Sequence, residues 1–252
     1  AGNGANFKDK DYSEAGAEVT KDTAKVYSCP IILKVEPPSL DEIKLINPQT
    51  LLISALQIKT QSKSYFEALA KKRITALAFE YIKDDDGAYP AVSSLSEIAG
   101  TASILIASEL LSNVNGGNGL MMGNINGVPP TEVVILGAGT VGEFAARSAI
   151  GLGANVKVFD SSITKLRRLQ NNLGRTLYTS TMQPKNLLKA LKRCDVAIGA
   201  VRGTYRAPIV VTESMLNNMK SGSVVIDVSI DMGGCFETSE VTTHDKPTFE
   251  YN

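Results

Sequence analysis

Tryptophan is absent from the 252 residues, histidine occurs once, at position 244, and cysteine three times, at positions 29, 194 and 235. A zinc site built on several histidines is thereby excluded, and histidine chemistry of any kind would rest on His244 alone. The odd cysteine count, with no CxxC spacing, argues against a disulfide framework and for a reduced, cytoplasmic setting. A surplus of either charge is also missing: Lys plus Arg number 26 and Asp plus Glu number 26. No basic field is left for nucleic acid or for an anionic membrane surface. No apolar run approaches the roughly 18 residues of a membrane span, and the most apolar window, residues 104–111, is interrupted by Ser108 and Glu109. Residues 1–4 have neither the basic nor the apolar region of a signal peptide, and the absence of an initial methionine reads as a processed start or a piece of a longer chain. With 43% hydrophobic and 21% charged residues, the composition is that of a soluble globular protein.

What is present is an alternation of strand and helix patterns. Residues 31–35, 50–57 and 74–81 read as strands, with a capped helix start at Ser39-Leu40-Asp41-Glu42-Ile43 and a helix over 62–72 between them. Asp84-Asp85-Asp86-Gly87 reads as a solvated turn, because it lacks the alternating ligands and distant glutamate of a calcium loop. Residues 96–113 predict a long helix with Ser96 as its cap, followed by a Gly/Asn/Pro-rich stretch over 115–130. Beyond it, strands over 133–136, 156–159, 196–200 and 224–228 alternate with helices over 143–152, 163–173, 184–193 and 212–219. The sequence thus predicts an α/β protein: a Rossmann-type, doubly wound parallel sheet plus an incomplete second α/β domain. The expected division is residues 1–92, a connection over 93–130, and a nucleotide-binding domain over 131–252.

Gly137-Ala138-Gly139-Thr140-Val141-Gly142 is a GxGxxG loop directly after a strand and opening a helix. Its first glycine permits the tight turn, its second lets the backbone approach a pyrophosphate, and its third lets helix and strand pack closely. Asp160 closes the next strand, 18 positions after Gly142, where a carboxylate accepts hydrogen bonds from ribose hydroxyls and repels a 2′-phosphate. The cofactor expected is therefore NAD, although Lys165 lies close enough to soften the preference.

Longer stretches carry a resemblance. Residues 95–100 (Leu-Ser-Glu-Ile-Ala-Gly), 127–130 (Gly-Val-Pro-Pro), 198–201 (Ile-Gly-Ala-Val) and above all 224–238 resemble the alanine dehydrogenase and nicotinamide nucleotide transhydrogenase α-subunit family, essentially along the whole chain. The resemblance implies a two-domain oxidoreductase, a homo-oligomer and often a hexamer, in which a nicotinamide cofactor faces a small amino or keto acid. It also implies Asp231 as the active-site aspartate, Ser96 as a cofactor contact on the long helix, and Val201 as a residue lining the nicotinamide side.

Two positions depart from that family's pattern. Its Lys-Val-Lys-Glu-Pro run is here Lys34-Val35-Glu36-Pro37-Pro38, with Glu36 at the substrate-binding lysine. Its catalytic histidine is here Gln57, which donates a hydrogen bond but shuttles no proton. Lys34 or Lys59 stands in for the missing lysine, or both are surface lysines, and His244 reads as structural or exposed. By this resemblance the chain begins partway into the first domain and stops before the family's last helices. The activity expected is reversible NAD-dependent deamination of L-alanine. The alternatives are the NAD(H)-binding component of a proton-translocating transhydrogenase and an NAD-sensing protein with a decayed substrate site.

Overall fold

The computed structural model describes residues 2–58, 60–85, 89–203 and 206–251. Lys59, Asp86 and Gly87 of the sequence reading lie outside them. The chain divides into two compact units, Ala1–Val92 and Ser93–Asn252.

The first unit runs α1 (Asp9–Glu14), α2 (Thr23–Tyr27), β1 (Ile31–Leu33), α3 (Leu40–Leu45), β2 (Leu51–Ser54), α4 (Lys63–Lys71) and β3 (Thr75–Ala78). Its three strands are parallel in the order β1-β2-β3, with Ile32 opposite Leu52 and Leu52 opposite Ala76. Period-two alternation sends Ile32 and Leu52 into a core with Ile43, Ile46, Tyr65 and Leu69 of the helical layer, while Ile31 and Leu33 stay exposed. Each strand is shorter than the sequence pattern. Pro37-Pro38 closes the chain beyond β1, Gln57 takes a left-handed φ of 49° beyond β2, and a single 3-10 turn, Phe79–Tyr81, follows β3.

Helix α3 opens with the capping box that Ser39 and Glu42 announce: Glu42 N–H donates to Ser39 Oγ at 3.2 Å and Ser39 N–H to Glu42 Oε2 at 2.7 Å. The same carboxylate accepts from the Tyr27 hydroxyl at 2.6 Å and from Lys34 Nζ at 2.9 and 3.1 Å. The Tyr27 hydrogen bond first, then Lys34 and the Ser39 amide, hold Glu42 down to about 2 against the cost of burial. Burial and that charge push Tyr27 up to about 12.

The second unit contains most of α5 (Pro90–Leu111), then β4 (Glu132–Leu136), α6 (Thr140–Gly151), β5 (Asn155–Phe159), α7 (Ile163–Leu173), β6 (Tyr178–Ser180), α8 (Pro184–Leu191), β7 (Val196–Gly199), α9 (Glu213–Leu216) and β8 (Val224–Asp227). All five strands are parallel in the order β6-β5-β4-β7-β8. The chain winds outward from β4 to β6, returns to β7 and winds the other way, so the order reverses at the C-terminal ends of β4 and β7. Side chains alternate between two cores: Val133, Ile135, Val158 and Ile198 with Ala145 and Leu169 on one face, Val134, Leu136, Phe159 and Ala197 with Leu187 and Leu191 on the other.

Two features differ from the sequence reading. Strand β6 has no apolar run to announce it, because Tyr-Thr-Ser at a sheet edge needs none. Helix α5 starts at Pro90, since proline suits a first helical turn, so Ser96 lies inside the helix and does not cap it. At 22 residues, with an 18-residue window of mean hydropathy 1.3, α5 is long and apolar enough to cross a membrane by length and composition alone. Serines spread through it, with Gly100, Glu97 and Glu109, interrupt every apolar run. Its Ile104, Ala107 and Leu111 belong to the core of the second unit.

Gly100 stands where α5 meets the first turn of α6: a Cβ there would lie 2.3 Å from the Val141 carbonyl oxygen and 2.9 Å from Phe144 Cβ. Gly100→Ala is expected to cost about 1–3 kcal/mol in urea unfolding, as overpacking does; an unchanged midpoint would contradict the contact. In the first unit, Glu42 has a folded value below its ordinary 4.5, so its stabilisation is full above about pH 4.5 and drains away as pH falls toward 2. The difference in unfolding midpoint between the parent and Glu42→Gln should therefore shrink across that window, and a pH-independent difference would show the network to be inert.

Candidate functional site

The strand-loop-helix at residues 132–151 carries the glycine loop. Gly137, at φ 109°, lies so close to the loop after β7 that a Cβ would meet the Ala200 carbonyl oxygen at 2.3 Å. A Cβ on Gly142 would lie 1.9 Å from the Gly137 carbonyl oxygen, so the third glycine is what lets α6 pack onto its own loop. Gly139 differs: its Cβ would meet nothing within 4 Å and would project into the open space before α6. The first amides of α6, from Thr140 and Val141, begin the helix there with no intrahelical acceptor and the positive end of the dipole.

Asp160, 6% exposed, directly follows β5 beside this loop. Its Oδ2 accepts the Ala138 N–H at 2.7 Å and its Oδ1 accepts the Ser162 N–H at 2.7 Å. The carboxylate thereby joins the glycine loop to the start of α7, where Ser162 Oγ caps the Lys165 amide at 3.3 Å. Each oxygen keeps acceptor capacity, which suits the two hydroxyls of a ribose. The open space at Gly139, the first helix amides without intrahelical acceptors and the buried Asp160 carboxylate bound to the Ala138 amide together suit an adenine dinucleotide. The Lys165 side chain is exposed.

Ser96 lies on α5 one turn before Gly100, on the face that meets the first turn of α6. Val201, half-buried, follows β7 directly behind Gly137, whose Cβ would lie 3.2 Å from the Val201 nitrogen. Asp231 lies in the exposed 3-10 turn Ile230–Met232 beyond β8, and its carboxylate accepts no hydrogen bond from a described residue. All of these residues and the glycine loop belong to the second unit and stand near the C-terminal edge of its sheet. Sequence reasoning passed over Asp227, the last residue of β8. Its carboxylate accepts hydrogen bonds from three backbone amides and a serine hydroxyl of the segment that carries Asp231. An aspartate at the end of an apolar strand pattern, the feature that marked Asp160, pointed to the position but not to its partners.

In the first unit, Lys34 is committed: both of its bonds go to Glu42. Glu36 is exposed and contributes its carbonyl oxygen to Ser54 Oγ at 2.8 Å. Gln57 is exposed in its left-handed turn at the C-terminal end of β2. Glu80 holds that turn, taking the Gln57 N–H at 2.8 Å and the Leu56 N–H at 3.2 Å. Glu80 was also absent from the sequence reading; it follows the β3 pattern as an isolated glutamate. His244 is exposed in the turn closed by Thr243 and Lys246. Cys194 and Cys235 are buried free thiols, both pushed up to about 12 mainly by burial. Among the described residues no three His, Cys, Asp or Glu side chains gather to hold a metal ion.

Comparison with known proteins agrees with this geometry. Residues 1–99 match the family model for the alanine dehydrogenase/PNT N-terminal domain and residues 103–252 that for the C-terminal domain. Alanine dehydrogenase 2 of Staphylococcus aureus (strain USA300) is 38% identical over 251 residues, 99% of this chain and 67% of the relative. A solved L-alanine dehydrogenase superposes with a TM-score of 0.92 at 35% identity, covering 99% of this chain and 69% of that one. A transhydrogenase from Sinorhizobium meliloti superposes with a TM-score of 0.81 at 26% identity, covering 95% of this chain and 70% of that one. With both halves matched and the dinucleotide cradle intact, the chain belongs to the alanine dehydrogenase/PNT family of nicotinamide-dependent oxidoreductases.

Proposed function

We propose that the protein oxidatively deaminates L-alanine reversibly, with NAD as the oxidant: L-alanine, NAD⁺ and water give pyruvate, ammonium, NADH and a proton. The observation that carries this reading is the Asp160 carboxylate, buried and fixed by two amides beside an open glycine cradle. It favours a ribose with free hydroxyls, and a 2′-phosphate would meet a desolvated negative charge. In this reading residues 131–252 carry the cofactor and residues 1–92 the amino or keto acid, in a cytoplasmic homo-oligomer.

Gly137, Gly139, Gly142, Thr140 and Val141 hold the pyrophosphate, Asp160 and Lys165 the ribose, and Ser96 and Val201 the nicotinamide side. When bound, the nicotinamide supplies the acceptor for the hydride leaving the substrate Cα. Asp231, whose carboxylate accepts no hydrogen bond from a described residue, orients the attacking water at the imine carbon and takes its proton. Gln57 donates a hydrogen bond from its amide to the substrate carbonyl or carboxylate and shuttles no proton. Lys34, paired with Glu42 just after β1, would have to leave that pair to reach a substrate carboxylate.

A steady-state assay with L-alanine and NAD tests this. The expected result is turnover that Asp231→Asn lowers by about 10²-fold or more, the range a lost general base occupies. The engagement of Lys34 and the glutamine at position 57 also suit a hydride-passing component of a transhydrogenase, which needs no amino-acid pocket. NADH binding with no turnover of any amino acid would replace the first reading with that one.

A further inference from the structure

We infer that Asp227 is a positioning residue: its carboxylate ties both ends of residues 228–239 into one loop and so fixes the backbone that presents Asp231. The inference rests on the role proposed above for Asp231.

The geometry is lopsided toward acceptance. Oδ1 accepts the Ser229 N–H at 3.0 Å and lies 3.6 Å from the Cys235 thiol; Oδ2 accepts the Cys235 N–H at 2.7 Å, the Phe236 N–H at 3.2 Å and the Ser239 hydroxyl at 2.6 Å. Four ordinary donors and one weak one converge on two oxygens, and among the described residues no cation takes part. Only an ionised carboxylate offers that many lone pairs with no proton of its own. The donors come from both limbs of the loop, Ser229 on the outgoing side and Cys235 to Ser239 on the return, with the Asp231 turn between them. Within the turn, Ser229 carbonyl oxygen accepts Met232 N–H at 2.9 Å and Gly234 N–H at 3.1 Å, so what fixes Ser229 fixes the turn.

The surrounding residues are cut to admit this carboxylate. A Cβ on Gly199 would lie 2.8 Å from Asp227 Oδ1 and 2.6 Å from Cys235 Sγ, and a Cβ on Gly234 would lie 2.9 Å from Asp227 Oδ2. The return limb is anchored independently, since Cys235 carbonyl oxygen accepts Val210 N–H at 2.8 Å and Val211 carbonyl oxygen accepts Glu237 N–H at 2.9 Å. Loss of the carboxylate should therefore loosen the limbs on either side of the Asp231 turn while the sheet beneath stays folded, the turn keeping the Ala207 N–H on the Met232 carbonyl oxygen at 2.9 Å and the Arg206 guanidinium on the Gly233 carbonyl oxygen at 3.3 Å. Cys235 enters as a protonated donor inside this knot, not as a nucleophile.

Asp227→Asn is the test, since the amide keeps the shape but sets an NH₂ group against donors at one oxygen position. Amide hydrogen exchange is measured on the protein with and without the substitution. Exchange of the Ser229, Cys235 and Phe236 amides should quicken at least tenfold, with the amides of β4 unchanged. Unchanged exchange across residues 228–239 overturns the inference, as does a uniform increase over the whole second unit, which would mark Asp227 as general scaffolding. This readout needs no turnover, so it stands apart from the deamination reading. Where alanine is turned over, kcat should fall at least tenfold while the Kd for NADH stays within threefold. Equal losses in both, or a kcat within twofold of the parent, would count against positioning. Ser239→Ala, which removes one donor of the five, should give a smaller shift in the same amides, and no shift would overturn the stated donor set.

Discussion

The carboxylate of Asp160 is the point at which chain geometry and ligand chemistry meet. A glycine loop is permissive by composition, and permissive backbone is disordered unless something specifies it. Here the Ala138 amide is pinned at 2.7 Å by an oxygen of a neighbouring strand, and the Ser162 amide is pinned to the other oxygen. The two βα turns that border the cradle are thereby locked to each other. Close approach does the rest: the spaces at Gly137 and Gly142 are filled by carbonyl oxygens, and that at Gly139 is left clear. One side chain thus shapes the loop before any ligand arrives and keeps acceptor capacity for the ligand.

The same device recurs. Asp227 gathers the loop after β8, Glu80 gathers the turn after β2, and Glu42 gathers the start of α3 with Tyr27 and Lys34. For Asp227 and Glu80 the carboxylate accepts backbone amides beyond the end of a parallel strand, and for Glu42 the amide is that of the Ser39 helix cap. The physical demand is general, because a parallel sheet stops abruptly at its C-terminal edge and the connecting backbone must find acceptors or water. Meeting that demand with acidic side chains sets anchored loops around the edge where ligands of such sheets bind.

How much of this was legible follows from the same physics. The cradle could be read because its three glycines and Asp160 have fixed spacing imposed by backbone sterics. The central strands could be read because burial on both faces makes Val133 to Leu136 and Val196 to Ile198 continuous apolar runs. Strand β6 could not, since a three-residue polar edge strand owes its existence to β5 beside it. Ser96 read as a helix cap because serine before an apolar periodicity usually is one; Pro90 had already begun the helix. Lys34 read as a substrate ligand from its place in the chain alone, and only three-dimensional proximity shows its pairing with Glu42. Asp227 and Glu80 act through hydrogen bonds to residues up to 24 positions away, a relation no local pattern encodes.

The central claim is that this cradle selects a nicotinamide dinucleotide with an unphosphorylated ribose. Isothermal titration of the protein with NADH and, separately, with NADPH tests it most directly. The account predicts saturable one-site binding of NADH with NADPH at least tenfold weaker. Equal affinities, tighter binding of NADPH, or no binding of either would contradict it.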